Sequence, residues 1–87
     1  MTTLAELKRT LKVGTTLTMI ASFDNYDGGN ANKFIGIARP INKVQTNAVR
    51  FEGGSWLEYE KASNYIFNGD TFTVSNTLGS LTYNIEM

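Results

Sequence analysis

Val44-Gln45-Thr46-Asn47-Ala48-Val49-Arg50-Phe51-Glu52-Gly53-Gly54-Ser55-Trp56-Leu57-Glu58-Tyr59 reads as two short strands joined by a glycine turn. Ala48-Val49-Arg50-Phe51-Glu52 and Ser55-Trp56-Leu57-Glu58-Tyr59 flank Gly53-Gly54, a pair that tolerates the positive φ angles of a tight hairpin. The hairpin carries the only tryptophan of the chain. A lone indole in a small domain is expected in the core, because it brings one of the largest apolar areas available. Which of Trp56 and Leu57 turns inward is left open by the pattern.

Outward from the hairpin, the flanking segments repeat the same theme. Thr3-Leu4-Ala5-Glu6 has the spacing of a capping box and opens a helix. Leu4, Leu7 and Leu11 form its apolar stripe, Lys8, Arg9 and Lys12 suit its C-terminal half, and Gly14 stops it. So short a helix is stable only when docked. From Thr15 the period becomes two: Leu17, Met19, Ala21 and Phe23 alternate with Thr16, Thr18, Ile20 and Ser22 as a half-buried strand. Asp24 to Asn32 is a run of turn formers, read as a long mobile hairpin loop with Tyr26 exposed at its tip.

Lys33 to Ile37 is expected to resume a strand, and Pro40 to mark an edge, bulge or bend before pairing restarts near Lys43. Gln45-Thr46-Asn47 is the next turn, and Glu60 to Asn64 a single helical turn or loop. Tyr65-Ile66-Phe67 is a short strand followed by Asn68-Gly69, a type I′ hairpin signal, with Phe72 and Val74 facing the core. Leu81, Tyr83 and Ile85 form one face of a last strand after a turn at Asn76 to Ser80. These readings add up to a single α+β domain over residues 1–87. It has a short N-terminal helix followed by a curled six- to seven-stranded antiparallel sheet, a small SH3-like barrel or roll. An open sheet under the helix is the second choice.

Composition removes whole classes of function. The 87 residues include no cysteine and no histidine, which takes away disulfides, ordinary zinc sites, the commonest general base and the strongest nucleophile. No cofactor is expected. Glu58 and Glu60 lie two apart and can share a strand face as an acid and base pair, but a chain this small has little room for a deep cleft beside its core. A solvated pair of acids, and no enzyme, is the expectation. Asp24-Asn25-Tyr26-Asp27-Gly28-Gly29-Asn30 has the oxygen-rich opening of a calcium loop, yet glycine falls at position 5 and Ile35 at position 12, where Gly at 6 and Glu at 12 are needed. Gly28-Gly29 and Gly53-Gly54 lack a following helix with Lys-Ser or Lys-Thr and offer no phosphate cradle. With no charged and apolar leader and no run of about 18 apolar residues, an intracellular, soluble protein with no membrane contact is expected.

The formal charge is zero, although the first fifty residues carry +4 and the remainder −4. Neutrality argues against binding of nucleic acid by charge alone and against an acidic mimic of DNA. Two kinds of partner stay open. Asp24, Tyr26 and Asp27, with Glu58, Tyr59 and Glu60, set aromatics among acids and suit a small interface with a basic protein. Lys33, Arg39, Lys43 and Arg50, with Trp56, Tyr59 or Tyr65 as stacking platforms, suit single-stranded nucleic acid. A homodimer formed by edge strands near Pro40 or the C-terminus is a third arrangement.

Lys43-Val44-Gln45-Thr46-Asn47-Ala48, Ser55-Trp56-Leu57-Glu58, Lys61-Ala62-Ser63 and Gly69-Asp70-Thr71-Phe72-Thr73 resemble small uncharacterised proteins carried by phages and other bacterial mobile elements. The resemblance covers the C-terminal half and includes no catalytic motif. It implies a compact accessory protein, working in the cytoplasm of a bacterial host cell by binding and disabling host machinery, for example an anti-defence or anti-CRISPR inhibitor. It assigns no site residues.

Overall fold

A computed structural model describes residues 2–24 and 33–86. Helix α1 spans Leu4–Thr10, and strands β1 to β7 span Thr16–Asp24, Ala38–Val44, Ala48–Phe51, Trp56–Glu58, Tyr65–Asn68, Thr71–Ser75 and Gly79–Glu86. Among the described residues the strands form one antiparallel sheet in the order β4-β3-β2-β1-β7-β6-β5. Among the described residues no ladder joins β4 to β5, so the sheet is open. Leu7, Leu11, Leu17, Ile41, Val49, Phe51, Phe72, Val74 and Tyr83 are all essentially inaccessible and belong to one core cluster.

The helix starts as its sequence dictates. Thr3 caps it, its hydroxyl accepting from the Glu6 amide at 3.1 Å. The Glu6 carboxylate reaches back one residue further than a simple capping box, accepting from the Thr2 hydroxyl at 2.9 Å and the Thr2 amide at 3.3 Å. Those bonds from Thr2 hold the Glu6 carboxyl below its usual range. Leu7 and Leu11 enter the core, and Leu4 packs against it.

Three local features set which side chains face inward. In β1 the pairing with β7 slips between Met19 and Ala21, a bulge that breaks the period of two. Leu17 and Met19 are buried as expected, whereas Phe23 is 66% exposed, and Ile20 is exposed beside it. Secondly, Lys33 to Ile37 is not a strand. Gly36 adopts φ +84°, its amide donates to the Met19 carbonyl at 2.8 Å, and the Ile37 amide donates to the Phe34 carbonyl at 3.0 Å. These bonds make a turn with a single bridge between Met19 and Ile35, and β2 begins at Ala38.

Thirdly, Pro40 sits inside β2, paired with Thr16. Its carbonyl accepts from Glu52, the residue just beyond β3, and Ile41 donates instead to Thr15 on the other side. The missing proline N–H therefore faces the end of β3 and interrupts no ladder, while a bulge follows between Ile41 and Lys43. Both β2 and β7 are flanked on two sides. Neither strand offers the free edge expected near Pro40 or the C-terminus; the edges are β4 and β5.

The central hairpin is present, and both glycines have positive φ, 104° at Gly53 and 102° at Gly54. Its loop is longer than the glycine pair, however. The Phe51 amide donates to Ser55 across it at 2.7 Å, and the register pairs Arg50 with Trp56 and Val49 with Leu57. Leu57 is buried and Trp56 is 45% exposed, so the expectation of a core tryptophan is overturned. The later hairpin turns at Gly69-Asp70, one residue beyond Asn68-Gly69, with Asn68 opposite Thr71. Phe72 and Val74 face the core there, as do Leu81, Tyr83 and Ile85 on β7. A 3-10 turn at Ala62–Asn64 precedes β5.

Candidate functional site

Arg39 lies opposite Leu17 in the β1–β2 ladder and two residues before Ile41. Side chains that share a face in this way point to the same side of the sheet, and Leu17 and Ile41 are both core residues. An arginine is therefore carried into the interior, where it is only 9% exposed. Phe34 covers one side of its guanidinium and Phe51 another, each ring centre 4.0 Å from the guanidinium carbon. An Nη atom donates to the Tyr83 phenol oxygen at 3.4 Å, and Nε is covered with no hydrogen-bond acceptor among the described residues. Burial pulls the Arg39 pKa down, and Tyr83 partly opposes that shift.

Phe51, Tyr83 and Phe72 continue inward from the guanidinium as a chain of ring contacts, with centroids 6.3 and 5.5 Å apart. Tyr65 extends it at 6.3 Å from Phe72 and Phe67 at 5.8 Å from Tyr65. Arg39 stands at one end of this aromatic core, in the wall of a cavity of about 360 Å³. Trp56, Glu58 and Glu60 line the same cavity from the β4 side, and Asn76 and Leu81 from the side of β6 and β7.

A second feature lies on the outer face. Lys43 pairs with Arg50, and Arg50 pairs with Trp56, which sets a lysine, an arginine and an exposed indole side by side across three strands. The Arg50 guanidinium carbon is 6.0 Å from the Trp56 ring centre, and its Nε is covered without an acceptor among the described residues. Glu58 is exposed two residues along β4. An open groove of about 500 Å³ runs beside them, lined by Gln45, Asn47, Ala48, Trp56, Glu58 and Tyr59.

The acids and aromatics picked out for protein binding are distributed unevenly. Tyr26 and Asp27 lie outside the described residues, with the loop, its Gly28-Gly29 and its calcium-like spacing; Asp24 contributes backbone pairing opposite Gly79. Glu58 is exposed, whereas Tyr59 and Glu60 are half-buried. The Tyr59 ring packs on the core beneath Lys8 of α1, whose Nζ is 5.0 Å from the ring centre. Its hydroxyl is covered with no partner among the described residues, and burial, reinforced by Tyr65, pushes its pKa up to about 12. Tyr65 accepts from the Glu60 amide at 3.0 Å, and burial raises its pKa as well.

The basic set is divided by the sheet itself. Lys43 and Arg50 are neighbours on the outer face, Lys33 is exposed with its Nζ 5.4 Å from the Phe34 ring centre, and Arg39 is inside. Sequence reading missed the interior role of Arg39, although its alternation with Ile41 was the available signal. Among the described residues no three metal-ligating side chains cluster, and no helix is long and apolar enough to cross a membrane. No family model, curated protein or solved structure matches the chain.

Proposed function

We infer that this protein is a non-enzymatic binding module that recognises another protein through the outer face of β3 and β4 around Trp56 and Glu58. One observation carries the reading: the only tryptophan of the chain stands exposed on an edge strand, beside Arg50 and above an open groove. Tryptophan and arginine are the side chains most often found to dominate interface energetics. Glu58 at the groove and Glu60 behind it add the negative charge that suits a basic partner. In the setting that the resemblance implies, the protein acts in the cytoplasm of a bacterial host as an accessory or inhibitor of host machinery, for instance an anti-defence inhibitor. The finer reading of the sheet as a small barrel or roll has support from the cavity that residues of β4 share with Asn76 and Leu81. Such sharing brings the β4 edge toward the β6–β7 turn on the other half of the sheet.

Single-stranded nucleic acid is the second reading, favoured by the Lys43–Arg50–Trp56 row, in which two cations stand to one side of a ring able to stack on a base. One experiment separates the two. The tagged protein is used to capture partners from nuclease-treated bacterial lysate, alongside a Trp56→Ala/Glu58→Lys variant. A protein retained by the wild type and lost by the variant is the expected result. Equal retention by both removes the proposed face, and loss of every partner on nuclease treatment, with affinity that falls steeply as salt rises, favours the nucleic-acid reading.

A further inference from the structure

We propose that the cavity beside Arg39 is a binding site for a small zwitterionic carboxylate of amino-acid size, its carboxylate held by the Arg39 guanidinium and its ammonium by Glu58 and Glu60. A guanidinium taken out of water without an acid is costly. Arg39 is nine-tenths buried, its one hydrogen bond among the described residues goes to the Tyr83 hydroxyl, and no described carboxylate is paired with it. Phe34 and Phe51 lie against it at 4.0 Å each. Rings in such contact leave the guanidinium edge as its route to an acceptor, and a planar carboxylate matches that edge.

The rest of the wall selects among anions. Glu58 and Glu60 line the same cavity, so a dianion such as phosphate meets two negative charges where a zwitterion meets two partners. Leu57, Leu81 and Met19 supply an apolar surface for an aliphatic side chain. The volume of about 360 Å³ is at the small end for ligand pockets, which fits a single residue. This chemistry is that of a free α-amino acid; the C-terminal residue of a peptide offers the carboxylate but has an amide where the ammonium is needed. The site shares Trp56 and Glu58 with the proposed protein-binding face, and because the ligand is tested alone the two readings fail separately.

The test uses the full chain, titrated with leucine, with leucinamide, which lacks the carboxylate, with 4-methylpentanoate, which lacks the ammonium, and with inorganic phosphate. Nuclear magnetic resonance follows the arginine Nε–H and leucine methyl signals. Leucine is expected to move the Arg39, Leu57 and Leu81 signals, 4-methylpentanoate to bind more weakly, and leucinamide and phosphate to leave them in place. Glycyl-leucine, whose leucine nitrogen is an uncharged amide, is expected to bind more weakly than leucine, and binding as tight as leucine overturns the role given to Glu58 and Glu60. Arg39→Met, checked for its fold by the same spectra, is expected to weaken leucine binding at least about tenfold. Leucinamide or phosphate binding as well as leucine, or leucine leaving the wild-type signals unmoved, overturns the proposal without any variant being needed.

Discussion

Replacing Arg39 by methionine tests the energetics of the interior cation. Where a buried arginine is paired with an acid, removing it strands the partner and costs about 3–5 kcal/mol. Arg39 has no such partner among the described residues. What the substitution removes is two ring contacts at 4.0 Å, worth about 0.5–2 kcal/mol each, and a long hydrogen bond at 3.4 Å to Tyr83. What it relieves is the desolvation of a charge, which in folded proteins amounts to several kcal/mol. Methionine is flexible enough to fill much of the vacated space between Phe34 and Phe51. The opposing terms are of similar size, so Arg39→Met is expected to unfold within about 1 kcal/mol of the wild type. For a domain of this length that is a change in Tm of no more than about 4–8 °C. Urea denaturation at neutral pH, followed by far-ultraviolet circular dichroism, measures it. A loss of about 3 kcal/mol or more refutes the reasoning, because it requires an acid bound to Arg39 in the unliganded protein.

Three further outcomes follow from the packing. Leu57→Ala should cost about 2–3 kcal/mol, near the lower end for a buried leucine because β4 is an edge, whereas Trp56→Ala should cost about 1 kcal/mol or less; chemical denaturation that reverses this order places the indole inside. Thr3→Ala removes the cap of α1 and should cost about 1 kcal/mol, read as a fall in Tm, and an unchanged Tm contradicts the capping role. Tyr59 holds its proton to about pH 12 in the folded protein, against an ordinary value of 10.0, and Tyr65 is shifted the same way. The unfolded chain thus releases these protons first, so stability is fully present below about pH 10 and declines as pH rises from there toward 12. A urea midpoint unchanged between about pH 9 and about pH 11 contradicts the burial of these phenols.

Much of the fold can be read from local signals, and the departures have specific geometric causes. The cap at Thr3, the leucine stripe and the alternation of Phe72, Val74, Leu81 and Tyr83 depend on neighbours in the chain, and they agree with the structure. The face of β4 depends on loop length. A two-residue loop at Gly53-Gly54 sets Phe51 opposite Trp56 and turns the indole inward; the observed register, Arg50 opposite Trp56, differs by one residue and turns it out. At the Gly69-Asp70 turn the displacement leaves the faces unchanged, so Phe72 and Val74 stay buried. The bulge after Met19 likewise has no signature in the alternation of β1, and it carries Phe23 to the surface.

The candidate sites follow the same logic. Trp56 and Arg50 are visible in the sequence as residue types, but their adjacency on an exposed face exists only in the register. Lys43, Arg50 and Arg39 look alike as basic residues on neighbouring strands. Pairing opposite Leu17 sends Arg39 inward, whereas the bulge after Ile41 leaves Lys43 outside beside Arg50. Charge order along the chain contains no trace of that division.

The most direct measurement is the nitrogen–proton spectrum of the three arginine side chains, Arg9, Arg39 and Arg50, in the unliganded protein and then with leucine. Arg39 and Arg50 each have a covered Nε, so two Nε–H signals are predicted to be protected from exchange, and the rings on Arg39 at 4.0 Å predict that its signal is the one displaced most by ring currents and moved by the ligand. Three signals at ordinary positions, all exchanging rapidly and indifferent to leucine, contradict both the interior arginine and the site built on it.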